Sequence, residues 1–138
     1  MISTTDPESF LSQAQRAVEA GLAWADANGA LMTLVVIDIT GTVCAAARMD
    51  GARTITYQIA LAKANTAREF QTSTAVLAER VKPENKIAIG QIAPQIAFLG
   101  GGAPITRDGV VVGAVGASGG TEDQDVACAD VCVAAIGG

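Results

Sequence analysis

The chain has 138 residues, 50% of which are apolar, and its formal net charge is −5. This length fits one domain, residues 1–138, with a core of its own. The acidic balance and the lack of basic runs exclude nucleic acid as a partner. The sequence contains no histidine, which excludes His-based acid–base catalysis, the Ser-His-Asp triad and His-ligated zinc or haem.

The apolar content is mainly small and aliphatic, since aromatic residues make up only 4% of the chain. This composition favours tight packing and further burial between subunits, so a homo-oligomer is expected. No apolar stretch reaches the length of about 20 residues that spans a bilayer, so no membrane association is expected. The N-terminus lacks the pattern of a signal peptide. Three cysteines without a CxxC spacing indicate a reduced, cytoplasmic protein.

The first predicted element is a helix near the N-terminus. Thr5 can cap this helix, and Glu8 three residues later completes a capping box. Small and apolar residues then follow a 3.6-residue period up to Gly29, which suits the left-handed C-cap position. The β-branched run 31–38 predicts a central strand, and 42–49 is expected to return as its hairpin partner.

The second half of the chain alternates helical and strand-like segments. The segment 84–102 is ambiguous, because its Gly and Pro residues argue against one long element. Hairpins dominate and no parallel crossover is evident, so the expected class is α+β, an antiparallel sheet with helices packed on it. The patterns predict a helix at 54–70, a short helix within 72–82, strands at 104–106 and 110–118, and a final helix at 121–136 whose apolar face is Val126, Ala129, Val133 and Ala134.

Two glycine-rich stretches are candidate walls of a binding site: LGGGAPI at 99–105 and GASGGTEDQD at 116–125. Glycine lets a ligand approach the main chain. The helix start after Thr121 offers N–H groups and a positive dipole end to an anion. The structural alternatives are a flexible connection and a capped helix start whose dipole is balanced by the acids that follow. The candidate ligand-binding residues are Gly100, Gly101, Gly102, Ser118, Gly119 and Gly120.

Three charged residues are candidate catalytic residues: Arg48, Asp50 and Lys63. Arg48 suits a bidentate contact with a carboxylate, and Asp50 can orient it or act as a base. Lys63 lies among alanines on a predicted helix, where partial burial would suit it for proton transfer. The structural alternatives are a surface ion pair and a solvated lysine. Cys128 and Cys132 are expected to be small core residues, and no metal site is expected.

Four segments resemble, in this order, the GlcG/HbpS-like family, which includes the C-terminal domain of PduO proteins. They are VVIDITGTVCAAARMDGA, IALAKANTAREFQTST, FLGGGAPI and GVVVGAVGASGGTEDQDVACA, and the resemblance covers residues 8–136. It implies a profilin-like fold with a five-stranded antiparallel sheet, helices on its faces, and homo-oligomers. Some members bind haem, and others are associated with corrinoid or glycolate metabolism. The shared motif positions include Arg48, Asp50, Gly51, Lys63, Thr66, Gly100, Gly101, Gly102, Pro104, Ser118, Gly119, Gly120, Gln124 and Asp125.

The sequence departs from the family pattern at Asp130, where the family often has Gly, and at Ala117, where it often has Val. The larger departure is the missing histidine. Any haem would need a Tyr, Cys or Met ligand instead, so haem is disfavoured and no cofactor is expected.

Three functions fit these residues. The first is a small-molecule-binding protein whose two glycine stretches line a pocket for a small organic acid near a subunit interface, with positive charge from Arg48 and Lys63. The second is a cofactor-independent lyase or isomerase acting on a small hydroxy or keto acid. In that case Lys63 or Asp50 moves the proton, while Arg48 and the amides after Ser118 hold the carboxylate and oxyanion. The third is haem or corrinoid binding without a histidine ligand.

Overall fold

Four antiparallel strands form the sheet at the centre of the computed structural model, which describes residues 8–136. The spatial order of the strands is β2-β1-β4-β3. The expected α+β class and the predicted hairpin are confirmed, but the fifth strand implied by the resemblance is absent from the described residues. The bounds of the strands are β1 Thr33–Asp38, β2 Val43–Arg48, β3 Gly102–Arg107 and β4 Val110–Ser118.

Five helices accompany this sheet: α1 Phe10–Ala27, α2 Ile55–Phe70, α3 Thr74–Arg80, α4 Pro83–Ile92 and α5 Glu122–Ile136. α1 and α5 pack on one face, and α2 packs on the other. The ambiguous segment 84–102 contributes most of α4, which ends at Ile92 two residues before Pro94, and then an irregular loop. Among the described residues, no helix is both long and apolar enough to cross a membrane.

The start of α1 differs from the predicted capping box. Ser9 is the N-cap residue, and its hydroxyl accepts a hydrogen bond from the amide of Ser12 at 3.1 Å. Thr5 lies outside the described residues. Glu8 precedes the helix and forms an ion pair with Arg16. Gly29 has a φ of +66°, which confirms the predicted left-handed turn after the helix.

The central strand β1 is buried on both faces, as its continuous apolar run predicts. Leu34 and Val36 point into the core shared with α1 and α5. Val35 and Ile37 point into the second core, against α2. This alternation places one helical layer on each side of the sheet.

The buried face of α5 is only partly the predicted one. Ala129 is buried as predicted, but Val126 and Val133 are only half-buried and Ala134 is exposed, whereas the two cysteines are fully buried. The reason lies in α1, because a side chain added at Gly21 would place its Cβ 2.5 Å from Sγ of Cys132. The two helices therefore meet closely along the cysteine face, and the prediction that Cys128 and Cys132 are small core residues is confirmed.

Two glycines of the sheet let α2 lie directly on the strands. A Cβ at Gly116 would lie 1.8 Å from the carbonyl oxygen of Ala60, and one at Gly102 would lie 2.4 Å from that of Lys63. No side chain fits at either position without moving the helix backbone. This close approach brings Lys63 against the end of β4.

Candidate functional site

Lys63 and Asp125 form a buried ion pair at the end of β4. The Nζ of Lys63 lies 2.9 Å from Oδ2 of Asp125 and 3.0 Å from the carbonyl oxygen of Ala117. The two side chains are only 3% and 8% exposed. The alternative of a solvated helix-face lysine is therefore wrong. A charge buried this deeply depends on its partner, because an uncompensated ion in the interior is strongly unfavourable.

The Asp125 carboxylate uses both of its oxygens. Its Oδ1 accepts a hydrogen bond from the amide of Gly120 at 2.9 Å, while Oδ2 accepts from Lys63. Burial raises the pKa of the Asp125 carboxyl above its usual value, and the contacts with Lys63 and Gly120 act in the opposite direction. The negative charge at the start of α5 is therefore supplied by the protein's own Asp125 side chain.

The stretch 100–102 packs around this ion pair. All three glycines are buried, and Gly101 has a φ of +123°. A Cβ at Gly101 would lie 2.6 Å from the carbonyl oxygen of Ala117 and 3.0 Å from Nζ of Lys63. The amide of Gly102 donates to the hydroxyl of Thr74 at 2.8 Å. These glycines are therefore required by the packing of the chain around Lys63.

The stretch 118–120 leads from β4 into α5. Gly119 has a φ of +128°, and a Cβ there would lie 2.2 Å from the carbonyl oxygen of Leu31. The capped helix start that the sequence allows is a capping box: the amide of Thr121 donates to Oε1 of Gln124 at 3.0 Å, and the amide of Gln124 donates to the hydroxyl of Thr121 at 3.2 Å. The structure thus brings together Lys63 and both glycine stretches, as the sequence predicts.

Arg48 lies at the same end of the sheet but on the surface. Thr33 pairs with Arg48 on one side and with Ser118 on the other, so the three residues form one row. Two strand spacings put Arg48 and Ser118 about 10 Å apart at Cα. The Nη1 of Arg48 donates to the carbonyl oxygen of Ala52 at 2.8 Å.

The hydroxyl of Thr33 lies 2.7 Å from that of Thr56, so this row of residues faces the start of α2. The first turn of α2 contains no acidic residue, and its N-cap Thr54 makes no side-chain cap. Arg53 and Asp50 are both exposed nearby in sequence. The ion pairs of the described residues do not include one between Arg48 and Asp50. The alternative that these two residues form a surface ion pair is therefore wrong.

The clefts of the described surface include three of about 420, 570 and 590 Å³. Lys63, Arg48 and Asp50 line none of them. No group of three His, Cys, Asp or Glu side chains within residues 8–136 is arranged to hold a metal ion. No local pattern predicts that Asp125 pairs with Lys63, because 62 positions separate them.

The fold defines an α+β protein of a type seen in solved structures. A structure described as a PduOC:heme complex has a TM-score of 0.86 and 28% identity, over 96% of each chain. A family model described as "Haem degrading protein HbpS-like" matches residues 10–134. The chain therefore belongs to the HbpS-like family, as its motifs predict.

Several curated proteins are similar in sequence, among them GlcG and PduO. Protein GlcG of Escherichia coli K12 is 33% identical over 111 residues, which is 79% of this chain and 81% of GlcG. Corrinoid adenosyltransferase PduO of Salmonella typhimurium is 32% identical over 103 residues, which is 73% of this chain. The match spans only 31% of the length of PduO.

The residues that the structure describes do not fit a haem held by a protein ligand. Histidine is absent from the sequence. Met32 is fully buried, and the Sδ of Met49 lies 3.3 Å from the amide of Met32. Cys44 lines the 590 Å³ cleft, but burial and the Asp38 carboxylate raise the pKa of its thiol, which disfavours the thiolate that iron requires. Tyr57 is 39% exposed and lies in none of the three clefts.

Proposed function

We propose that this protein binds a small organic acid at the sheet-end site, defined here as Arg48, Thr33, Ser118 and the start of α2. The row of these three residues carries the proposal, since it places the exposed guanidinium of Arg48 beside the buried hydroxyls of Thr33 and Ser118 on one face of the sheet. Arg48 and Arg53 add positive charge at an exposed surface of a chain whose net charge is −5. The uncapped start of α2, with no acid in its first turn, also favours an anion.

In this proposal, Lys63 and Asp125 hold the site together and do not touch the ligand. Lys63 binds the carbonyl of Ala117 next to Ser118, and Asp125 binds the amide of Gly120 two residues on. The glycines at 100–102 and 119–120 let these segments pack closely. In the 118–120 stretch, the Gly120 amide is already used by Asp125 and Ser118 is buried at 5% exposure, so Arg48 is the exposed group that meets the ligand first.

The alternative function is a cofactor-independent lyase or isomerase on a small hydroxy or keto acid. Arg48 would hold the carboxylate, and either Asp50 or Lys63 would move the proton. The exposure of Asp50 favours Asp50, because Lys63 is only 3% exposed and already paired.

We also propose that the protein is a homo-oligomer in a reducing, cytoplasmic environment. α4 contributes no buried residue, and it exposes 65% of Ile87 and 84% of Ile92. Apolar side chains at such exposure favour burial against another subunit. The three cysteines are free thiols, which supports a reducing compartment. A concentration-independent monomer mass by light scattering would overturn the oligomer.

The test of the binding proposal is a thermal-shift series with small hydroxy, keto and saturated carboxylic acids. A ligand that binds only the folded state raises its stability in proportion to the logarithm of its concentration. We expect a shift with wild type and with the control Arg107→Gln, which removes an exposed arginine at the opposite end of the sheet. Arg48→Gln should abolish the shift. The proposal fails if no acid shifts the melting temperature, or if Arg48→Gln responds like wild type.

The enzyme alternative has a separate readout. Proton abstraction next to a carbonyl exchanges the α-proton of the substrate for deuterium in D₂O, which NMR follows directly. Wild type should catalyse this exchange and Asp50→Asn should not. If neither protein exchanges the proton of any acid that binds, the function is binding alone.

A further inference from the structure

A separate cleft of about 420 Å³ lies between the C-terminal half of α2 and the segment that runs from α4 to the loop after it. It is remote from the sheet-end site, because Thr56 and Arg68 are separated by about 18 Å along the axis of α2. Its lining combines apolar, amide and charged side chains. The lining residues are Asn65, Arg68, Glu69, Phe70, Ile89, Ala93, Gln95 and Ile96.

Arg68 is the cationic group of this α2–α4 cleft. Its Nη2 lies 3.0 Å from Oε1 of Glu69, and its Nη1 donates to the carbonyl oxygen of Ile39 at 3.4 Å. Its Nε is buried and has no acceptor among the described residues. The side chain of Glu69 is 56% exposed, so its pairing with Arg68 is a weak surface contact. The guanidinium therefore has donor capacity that the chain itself does not satisfy.

The cleft also has an apolar part. Ile89 and Ile96 are half-buried, and Phe70 is 46% exposed although its ring lies 5.8 Å from that of Phe98. An apolar group placed among these three side chains would remove their exposed surface from water.

The outer wall of the cleft is fixed to α2. The hydroxyl of Thr66 donates to the carbonyl oxygen of Ala62 at 2.7 Å and accepts from the amide of Ala97 at 2.8 Å. Thr66 is fully buried, so water does not compete for this contact. The loop next to Ile96 is held in place before any ligand arrives, which lowers the ordering cost of binding.

We propose that the α2–α4 cleft is a second binding site, for a monocarboxylic acid with an apolar body. Arg68 receives the carboxylate through charge-assisted hydrogen bonds, and Phe70, Ile89 and Ile96 receive the body. Glu69 at the rim repels a second carboxylate, so the site selects monoanions over dicarboxylates. The amides of Asn65 and Gln95 satisfy polar atoms at the carboxylate end.

The test is isothermal titration of the full chain with hexanoate and phenylacetate, compared with succinate and with uncharged phenethyl alcohol. We expect both monocarboxylates to bind, and each comparator to bind at least about tenfold more weakly. Phenethyl alcohol lacks the charge-assisted contact, which has an effect of that size, and the second carboxylate of succinate meets Glu69 and the apolar side chains. Arg68→Gln should weaken hexanoate by a similar factor. Ile89→Asn, on a helix without buried residues, should weaken it while leaving Arg68 intact.

Two controls separate this site from folding effects and from the sheet-end site. Arg80→Gln removes an exposed arginine outside the cleft lining and should bind hexanoate like wild type. All titrations are run in the Arg48→Gln background, so that the sheet-end site does not contribute to the measured binding. Circular dichroism should show that Arg68→Gln remains folded. The proposal is overturned if hexanoate and phenylacetate fail to bind at millimolar concentration, if succinate binds equally well, or if a folded Arg68→Gln binds like wild type.

Discussion

Replacing Lys63 by Met tests the buried ion pair most directly. The substitution keeps the length of the side chain but removes the ammonium. It leaves Asp125, whose side chain is 8% exposed, with only the Gly120 amide as a partner. It also removes the donor to the carbonyl of Ala117. Breaking one partner of a buried pair costs about 3–5 kcal/mol, so Lys63→Met should lose that much free energy of unfolding at neutral pH.

The pH dependence of this loss has a definite sign. Burial already raises the pKa of Asp125 in the folded wild-type protein, and removing Lys63 raises it further. A carboxyl whose pKa is higher in the folded than in the unfolded protein destabilises the fold while it is ionised. This destabilisation disappears as the pH falls from the folded-state pKa to the unfolded-state pKa. The defect of Lys63→Met should therefore be largest at neutral pH, and it should shrink as the pH falls toward the usual pKa of an aspartic acid.

Urea denaturation at several pH values measures these free energies. The matched control is Lys82→Met, which removes an exposed lysine and should change stability by no more than about 0.5 kcal/mol. The double variant Lys63→Met/Asp125→Asn removes both charges, so it should be more stable than Lys63→Met alone at neutral pH. A cost below about 1 kcal/mol for Lys63→Met, or a defect independent of pH, would refute the reasoning.

Three further predictions concern packing, thiol chemistry and haem. Gly116→Ala should cost more than about 3 kcal/mol, since its Cβ would lie 1.8 Å from the carbonyl oxygen of Ala60. Gly90→Ala, in open space on α4, should instead stabilise by about 0.5–1 kcal/mol; equal melting temperatures would contradict this. Asp38→Asn should lower the pKa of the Cys44 thiol and speed its alkylation at fixed pH, because the Asp38 charge contributes to raising it; unchanged alkylation rates argue against that cause. When haem is added to the protein, its absorption spectrum should remain that of free haem. A sharp Soret band would show an iron ligand that the described residues do not supply.

Local patterns predict most of the secondary structure because each element carries its own signal. The continuous β-branched run predicts β1, and the 3.6-residue period predicts α1 up to the turn at Gly29. The face of α5 is the instructive error. The apolar residues of α5 lie on more than one side of the helix, so periodicity alone does not identify the side that is buried. That side is decided by Gly21 of α1, which leaves room for the sulfur atoms of Cys128 and Cys132.

The candidate site was only partly predictable, for a related physical reason. The glycine stretches and Lys63 can be recognised in the sequence as unusual, and the structure does bring them together. Their relation to one another depends on tertiary packing, because Asp125 reaches Lys63 only after α2 and α5 have docked near the end of β4. The α2–α4 cleft has no sequence signal, since its lining joins the end of one helix to a loop some 20 residues later.

The position of Asp125 near the start of α5 has a consequence for synthesis of the protein. Every strand and helix before α5 can emerge from the ribosome without the carboxylate that neutralises Lys63. The sheet cannot close around a bare ammonium at low cost, and the pair joins positions 62 residues apart. The nascent chain should therefore remain open at the end of β4 and resist native docking of α2 until α5 has been made. Ribosome-bound chains stopped before Asp125 should accordingly be much more sensitive to protease than chains that include α5.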